Sequence, residues 1–137
     1  MDIIKVVCGI IFSDELAFVC RRKEGKSLAG YWEFPGGKIE ENETHQNALA
    51  RELLEELDMK VKVKDFVGQS NYDYDSFKIE LYGYECSLID YKGKLTDHDS
   101  YEWTSIKDLI KYKLAPADLP FIKMIENKKR TTKPKLH

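Results

Sequence analysis

Residues 33–57 read EFPGGKIEENETHQNALARELLEEL, and the second half of this stretch has the period of a helix. At about 100° per residue, Leu49, Leu53, Leu57, Ala50 and Leu54 fill one arc of about 140°, while Glu52, Glu55 and Glu56 gather within about 100° on the other side. An apolar arc of that width buries a helix against a sheet. Acids three and four positions apart repel one another, so the arrangement carries a stability cost that a cation removes. Oxygen ligands with no His or Cys among them suit Mg²⁺, with Mn²⁺ as the alternative, and Mg²⁺ usually keeps waters and shares substrate phosphates. Arg51 reaches Glu55 at i+4 and steadies the cluster. Directly upstream, Pro35-Gly36-Gly37 reads as a tight turn whose backbone reaches the same point in space. The helix taken alone is also compatible with a plain solvated acidic face, since Glu is a good helix former. The Pro-Gly-Gly turn and Glu43, six residues after Gly37, argue against that reading.

Gly37, Glu43, Arg51, Glu52, Leu53, Glu55 and Glu56 stand at spacings that resemble the Nudix box. The one departure is Asp58, where the family pattern has Gly. A left-handed residue closes the helix at that point, and Asp tolerates the conformation better than most side chains. The resemblance implies an α/β fold, the Nudix α/β/α sandwich around a mixed β-sheet, and hydrolysis of a nucleoside diphosphate linked to another group. It also implies Glu52 and Glu56 as first-choice metal ligands with Glu55 beside them, and the Gly36 carbonyl as a further ligand. Glu43 is expected to orient water or the loop. Whether Glu52 ligates metal, takes a proton or does both stays open at this stage. A further family carboxylate falls on Asp97, six residues before Trp103, with Asp99 as competitor; both also suit plain turn positions. Arg22 and Lys38 flank the turn and are candidates for the substrate phosphates, the alternative being surface charge.

The segments LAGYWEFPGGKIE (28–40) and LAPADLPFI (114–122) are similar to MutT-group nucleoside triphosphate pyrophosphohydrolases, nearest the CTP pyrophosphohydrolase and 8-oxo-dGTP diphosphatase group. The implied reaction takes a (d)NTP and water to a (d)NMP and diphosphate, on cytidine or modified nucleotides, as nucleotide-pool sanitation. In such enzymes a polar residue before the last helix reads the base, which here is Asp118. An ionised carboxylate only accepts hydrogen bonds, so it suits the exocyclic amine of cytosine or N–H groups of a modified purine. Asp118 also suits a cap of the final helix, with Pro120 in its first turn. Glu33 is a second acceptor near the base, and Trp32 or Phe34 can stack on it or belong to the core. Two other readings remain: a Nudix hydrolase of ADP-ribose or dinucleoside polyphosphates, and a non-catalytic nucleotide sensor. The sensor is expected to have lost acids that are all present here.

At 137 residues the chain suits one domain. Five of its 22 Lys and Arg lie in 128–137 (KKRTTKPKLH), leaving 17 basic against 24 acidic residues, or −7, in the rest. The expected division is a domain over 1–127 and a basic, flexible, solvated tail over 128–137, without stable nucleic-acid binding. Cys8, Cys20 and Cys86 are widely spaced, which indicates neither a zinc site nor a disulfide framework. Neither a leader nor an 18-residue apolar run is visible, so a cytoplasmic monomer or dimer without membrane contact is expected. Strands are expected at 4–12 and 16–21 as a hairpin, at 32–34, 59–68, 77–89 and 101–104, and helices at 44–57, 106–111 and 119–129.

Overall fold

The computed structural model describes residues 2–132. Its frame is a seven-stranded mixed sheet. β1 (Asp2–Ser13) folds back into β2 (Leu16–Arg22) through the expected hairpin, where Asp14 takes φ 54°. β3 (Trp32–Glu33) and β4 (Gly36–Lys38) precede α1 (His45–Leu57); β5 (Lys60–Tyr74) and β6 (Phe77–Asp90) follow it. β7 (His98–Thr104), a 3₁₀ turn (Lys107–Lys111) and α2 (Pro120–Thr132) complete the described chain. The main order is β3-β2-β1-β6-β5, with β4 against β1 and β7 against β2. β1 runs parallel to β6 over Asp2↔Phe77 to Phe12↔Ser87, and the other strand pairs are antiparallel.

The period-2 pleat of β1 divides the core. Val7 and Ile11 point to the side covered by α1, with Leu49, Leu53, Leu57 and Met59. Cys8 and Ile10 point to the other side, where Leu109, Phe121 and Ile125 bring the 3₁₀ turn and α2. The chain is therefore an α/β/α sandwich, as the resemblance implied. Thr44 caps α1, its hydroxyl accepting from the Asn47 N–H at 3.0 Å. Asp58 closes the helix at φ 50°, ψ 39°, and its N–H returns to the Leu54 carbonyl at 3.0 Å. Asp thus occupies the left-handed position that a Gly usually takes.

The structure corrects several expectations. The buried face of α1 is Ala48, Leu49, Leu53 and Leu57, while Ala50 is exposed and Leu54 is 46 % exposed. The helix is rolled toward its acids, so that Glu52 and Glu56 sit half-buried over the sheet. Pro35-Gly36-Gly37 is no free turn. It leads into β4, which pairs Cys8↔Gly36, Val7↔Gly37 and Val6↔Lys38. The glycines permit both facts: a methyl on Gly36 would run into the Val7 backbone, and one on Gly37 into the Glu52 carboxylate. The expected helix at 106–111 is a single 3₁₀ turn, β5 extends to Tyr74, and β7 begins three residues early, at His98. α2 carries the chain through the first five residues of the expected tail; 133–137 lie outside the described residues. Among the described residues, no helix is long and apolar enough to cross a membrane.

Candidate active site

β2 pairs with β1 only at Phe12↔Ala17 and Ser13↔Leu16 before it leaves for β3 and β7. Where the two strands part lies a cleft of about 710 Å³. Glu52, Glu56, Gly36, Gly37 and Asp97 line it on one side, and Glu33, Phe34 and Asp118 on the other.

The first end is organised by Arg51. Its guanidinium donates to both oxygens of Glu43 (2.6 and 2.9 Å), to Glu52 Oε1 (3.0 Å), to Glu55 Oε2 (3.3 Å) and to the Lys38 carbonyl (3.1 Å). A planar five-donor fork can serve this many acceptors at once, which a lysine cannot. The hydrogen bonds from Arg51 and from the Glu40 amide lower the Glu43 carboxyl to about 2. Glu52 is pushed up, first by burial and against the pull of Arg51. Glu56 rises to about 8 because it is desolvated and faces the charges of Glu52, Asp97 and Glu33. Glu56 thus lacks sufficient cationic compensation.

Among the described residues, no three acids, histidines or cysteines converge tightly enough to hold a cation alone. The donor set nevertheless fits a hard divalent ion. Carboxylate and carbonyl oxygens are the donors, repulsion among them is relieved by positive charge, and Gly37 leaves the Glu52 carboxylate a recess that any Cβ would fill. Asp97 lines the cleft and pairs with Lys26 at 3.1 Å. Burial pushes its carboxyl up, but Lys26, His98 and Arg22 leave it below the usual value. Asp99 instead pairs with Arg21 at 2.7 Å and does not line the cleft.

At the second end Asp118 is buried, and its Oδ2 accepts the Phe34 N–H at 2.8 Å. The competing idea of a side-chain cap on α2 does not match this contact: the backbone carbonyl of Asp118 accepts from Phe121, while the carboxyl crosses to β3's exit. Burial first, and Glu33 second, raise the Asp118 carboxyl well above its ordinary value. Glu33 Oε2 accepts from Arg22 at 3.3 Å and from His98 Nε2 at 2.7 Å. Ile79, Leu81 and Ala117 give this end apolar walls.

Of the residues singled out from sequence, Arg22, Glu33, Phe34, Gly36, Lys38, Glu52, Glu56, Asp97 and Asp118 meet around the cleft. Three do not. Glu43 and Glu55 stand behind Arg51. Trp32 packs edge-on against Tyr112 at 5.0 Å, with Arg21 over its ring, and does not line the cleft. Phe34 reaches the cleft wall, yet its ring is buried and meets Phe121 edge-on. Sequence reasoning missed His98, Lys26 and Tyr74, whose hydroxyl accepts the Ala117 N–H at 3.3 Å. His98 had one visible signal, as the histidine beside Asp97.

A mixed sheet between two helical layers, with an Arg-braced acid helix seated on a Gly-Gly strand, defines a Nudix domain. The NUDIX domain family model matches residues 6–124, and the chain belongs to that family, whose hydrolases use divalent metal ions. Among similar proteins is the CTP pyrophosphohydrolase of Escherichia coli (strain K12), 35 % identical over 124 residues, covering 89 % of this chain and 90 % of that protein. The 8-oxo-dGTP diphosphatase of Buchnera aphidicola subsp. Schizaphis graminum (strain Sg) is 32 % identical over 111 residues, 80 % of this chain and 82 % of the relative. A solved structure of MutT from methicillin-resistant Staphylococcus aureus 252 superposes with TM-score 0.75 at 43 % identity, covering 93 % of this chain and 99 % of the other.

Proposed function

We propose that the protein is a Mg²⁺-dependent nucleoside triphosphate pyrophosphohydrolase, acting on cytidine or modified nucleotides to release a nucleoside monophosphate and diphosphate. One observation carries this reading: a single cleft joins an acid cluster whose Glu56 lacks cationic compensation to the carboxylates of Glu33 and Asp118 among apolar walls. The relatives named above act on CTP and 8-oxo-dGTP by name, which supports the substrate class.

Glu52, Glu56 and the Gly36 carbonyl, with Asp97, would hold the ion, and Glu55 stands in reserve beside them. Bound there, a divalent cation polarises phosphoryl oxygens and lowers the pKa of water. The chain supplies the rest. Arg22 and Lys38 bind phosphate oxygens from the cleft wall. Arg51 holds Glu52 by Oε1, and the other oxygen lies against Gly37, which supports Glu52 as a ligand that also takes a proton from the attacking water. Glu43 reaches the site only through Arg51 and the Glu40 amide, so it orients the loop. Glu33 and Asp118 read the base edge. The raised carboxyl of Asp118 favours its protonated form, which adds an O–H donor to an acceptor. Phe34 is wall, and Trp32 supports the rim.

Three buried, free cysteines suit a reducing cytoplasm. The substrate contact needs neither nucleic acid nor membrane, and a monomer or dimer serves equally. The test is diphosphate release with Mg²⁺ from CTP, dCTP, 5-methyl-dCTP, 8-oxo-dGTP, dATP and ADP-ribose. Cytidine or modified triphosphates are expected to turn over fastest. Hydrolysis of ADP-ribose alone, or of nothing, overturns the reading.

A further inference from the structure

His98 is buried in β7, in a place where an apolar residue would pack without any polar group to satisfy. Its Nδ1 is buried and has no partner among the described residues. Its Nε2 lies 2.7 Å from Glu33 Oε2, and since a carboxylate only accepts, this nitrogen carries the donated proton. A buried polar atom without a partner is costly to the fold, so stability alone does not account for the residue.

The backbone is irregular in a way that aims it. β7 pairs with β2 one to one from Ala17↔Thr104 to Arg21↔Ser100, and then the register shifts so that Arg22 faces His98. Asp99 is the extra residue of this bulge. A bulge redirects side chains relative to a regular pleat. Here Asp99 goes out to Arg21 and His98 goes in to Glu33.

The two donors on Glu33 act on the same atom. Arg22 and His98 both reach Oε2, and among the described residues no donor reaches Oε1. The carboxylate is thereby pinned at one oxygen, on a residue that lines the cleft. Arg22 is half-buried at the cleft and is also drawn to phosphate. His98 is fully enclosed and has no other polar contact.

We propose that His98 is a positioning residue for base selection: it fixes Glu33 so that Oε1 meets a nucleobase amine whether or not Arg22 has turned to the phosphates. This rests on the pyrophosphohydrolase reading and goes beyond it by naming what sets specificity. With Glu33 fixed, a base bearing an exocyclic amine at that point gains a hydrogen bond at little ordering cost. A base bearing a carbonyl there meets an acceptor facing an acceptor.

The experiment compares wild type with His98→Leu and His98→Gln, measuring kcat and KM for dCTP, 5-methyl-dCTP, 8-oxo-dGTP and dTTP, with the melting temperature of each protein. The wild type is expected to prefer an amine-bearing base. His98→Leu is expected to lower that preference, as the ratio of kcat/KM for the best substrate to that for dTTP, by roughly tenfold. The change falls mainly on KM, and the melting temperature is held or raised. His98→Gln, which returns an N–H donor, is expected to restore most of the ratio. Should His98→Leu not fold, His98→Phe replaces it as a flat ring without a donor. An unchanged ratio in a folded donor-free variant overturns the inference while the pyrophosphohydrolase reading stands, as does equal loss on every nucleotide. No turnover of any triphosphate by the wild type overturns both.

Discussion

The two ends of the cleft use carboxylates in opposite ways. At the phosphate end, Arg51 holds Glu52 and Lys26 holds Asp97, while Glu56 faces both acids with too little positive charge, so on the proposed function the protein there is incomplete until a cation arrives. At the base end, Glu33 and Asp118 are each held by protein donors on one oxygen, so the protein is complete and waits with a shaped surface. The first end trades stability for charge; the second spends burial on direction. On the proposed function, the same residue type would do chemistry at one end and selection at the other, according to whether its neighbours are acids or N–H groups.

The largest test of this contrast is Glu56→Gln. It keeps the shape and removes the charge, and turnover is expected to fall at least about a hundredfold with the fold intact. Steady-state rates together with circular dichroism check this, and an unchanged rate removes Glu56 from the site. A pair of glycine variants sharpens the division between scaffold and site. Gly36→Ala pushes a methyl into the Val7 backbone and is expected to destabilise the whole protein by about 1–3 kcal/mol or more. Gly37→Ala meets only the mobile end of Glu52, so activity is expected to drop while the denaturation midpoint moves far less. If both variants lose stability equally, the Glu52 recess is merely structural.

Acidity provides the next test. Glu56 has a folded-state value of about 8 against an ordinary 4.5, so the native state binds more protons than the unfolded chain between those values. Stability of the metal-free protein is therefore full below the unfolded value and is lost as pH rises toward 8. Thermal melts at pH 5 and pH 8 are expected to show this fall, and Mg²⁺ is expected to raise the melting temperature more at pH 8, since binding displaces a proton. A melting temperature that climbs with pH without metal contradicts the argument. Asp118→Asn is expected to shift preference among bases more than it lowers the best rate, and to stabilise the protein at neutral pH by removing a buried acid. The smallest effect is at Asp58→Gly, which relieves a left-handed non-glycine residue by roughly 1 kcal/mol in chemical denaturation.

The phosphate end was legible because its parts are local. Gly37 through Glu56 lie within twenty residues, and helical periodicity alone brings Glu52 and Glu56 together. Periodicity did not reveal which flank of α1 faces inward. Leu54 is the more hydrophobic choice, yet the glycines of β4 let the helix roll toward its acids, and that preference resides in the partner strand. The base end is non-local. Phe34 meets Asp118 across 84 positions, and Glu33 meets His98 across 65. Asp118 and Glu33 were reached through family resemblance. His98 was missed because its orientation depends on a one-residue bulge, which leaves no mark in composition or spacing. Trp32 was misplaced for a related reason: an aromatic residue at a strand end is equally suited to either face, and pairing of Arg21 with Trp32 in register sends its ring toward Tyr112.

β4 is at once a rung of the sheet and the floor beneath Glu52. The proposed ligand cluster therefore has no melting transition of its own, and the amide of Gly37 should exchange with solvent only when the central strand itself opens. On the proposed function, an ion arriving from solution would find the rearrangement already done during folding, sparing the site the entropy that a loop-borne cluster loses on each turnover.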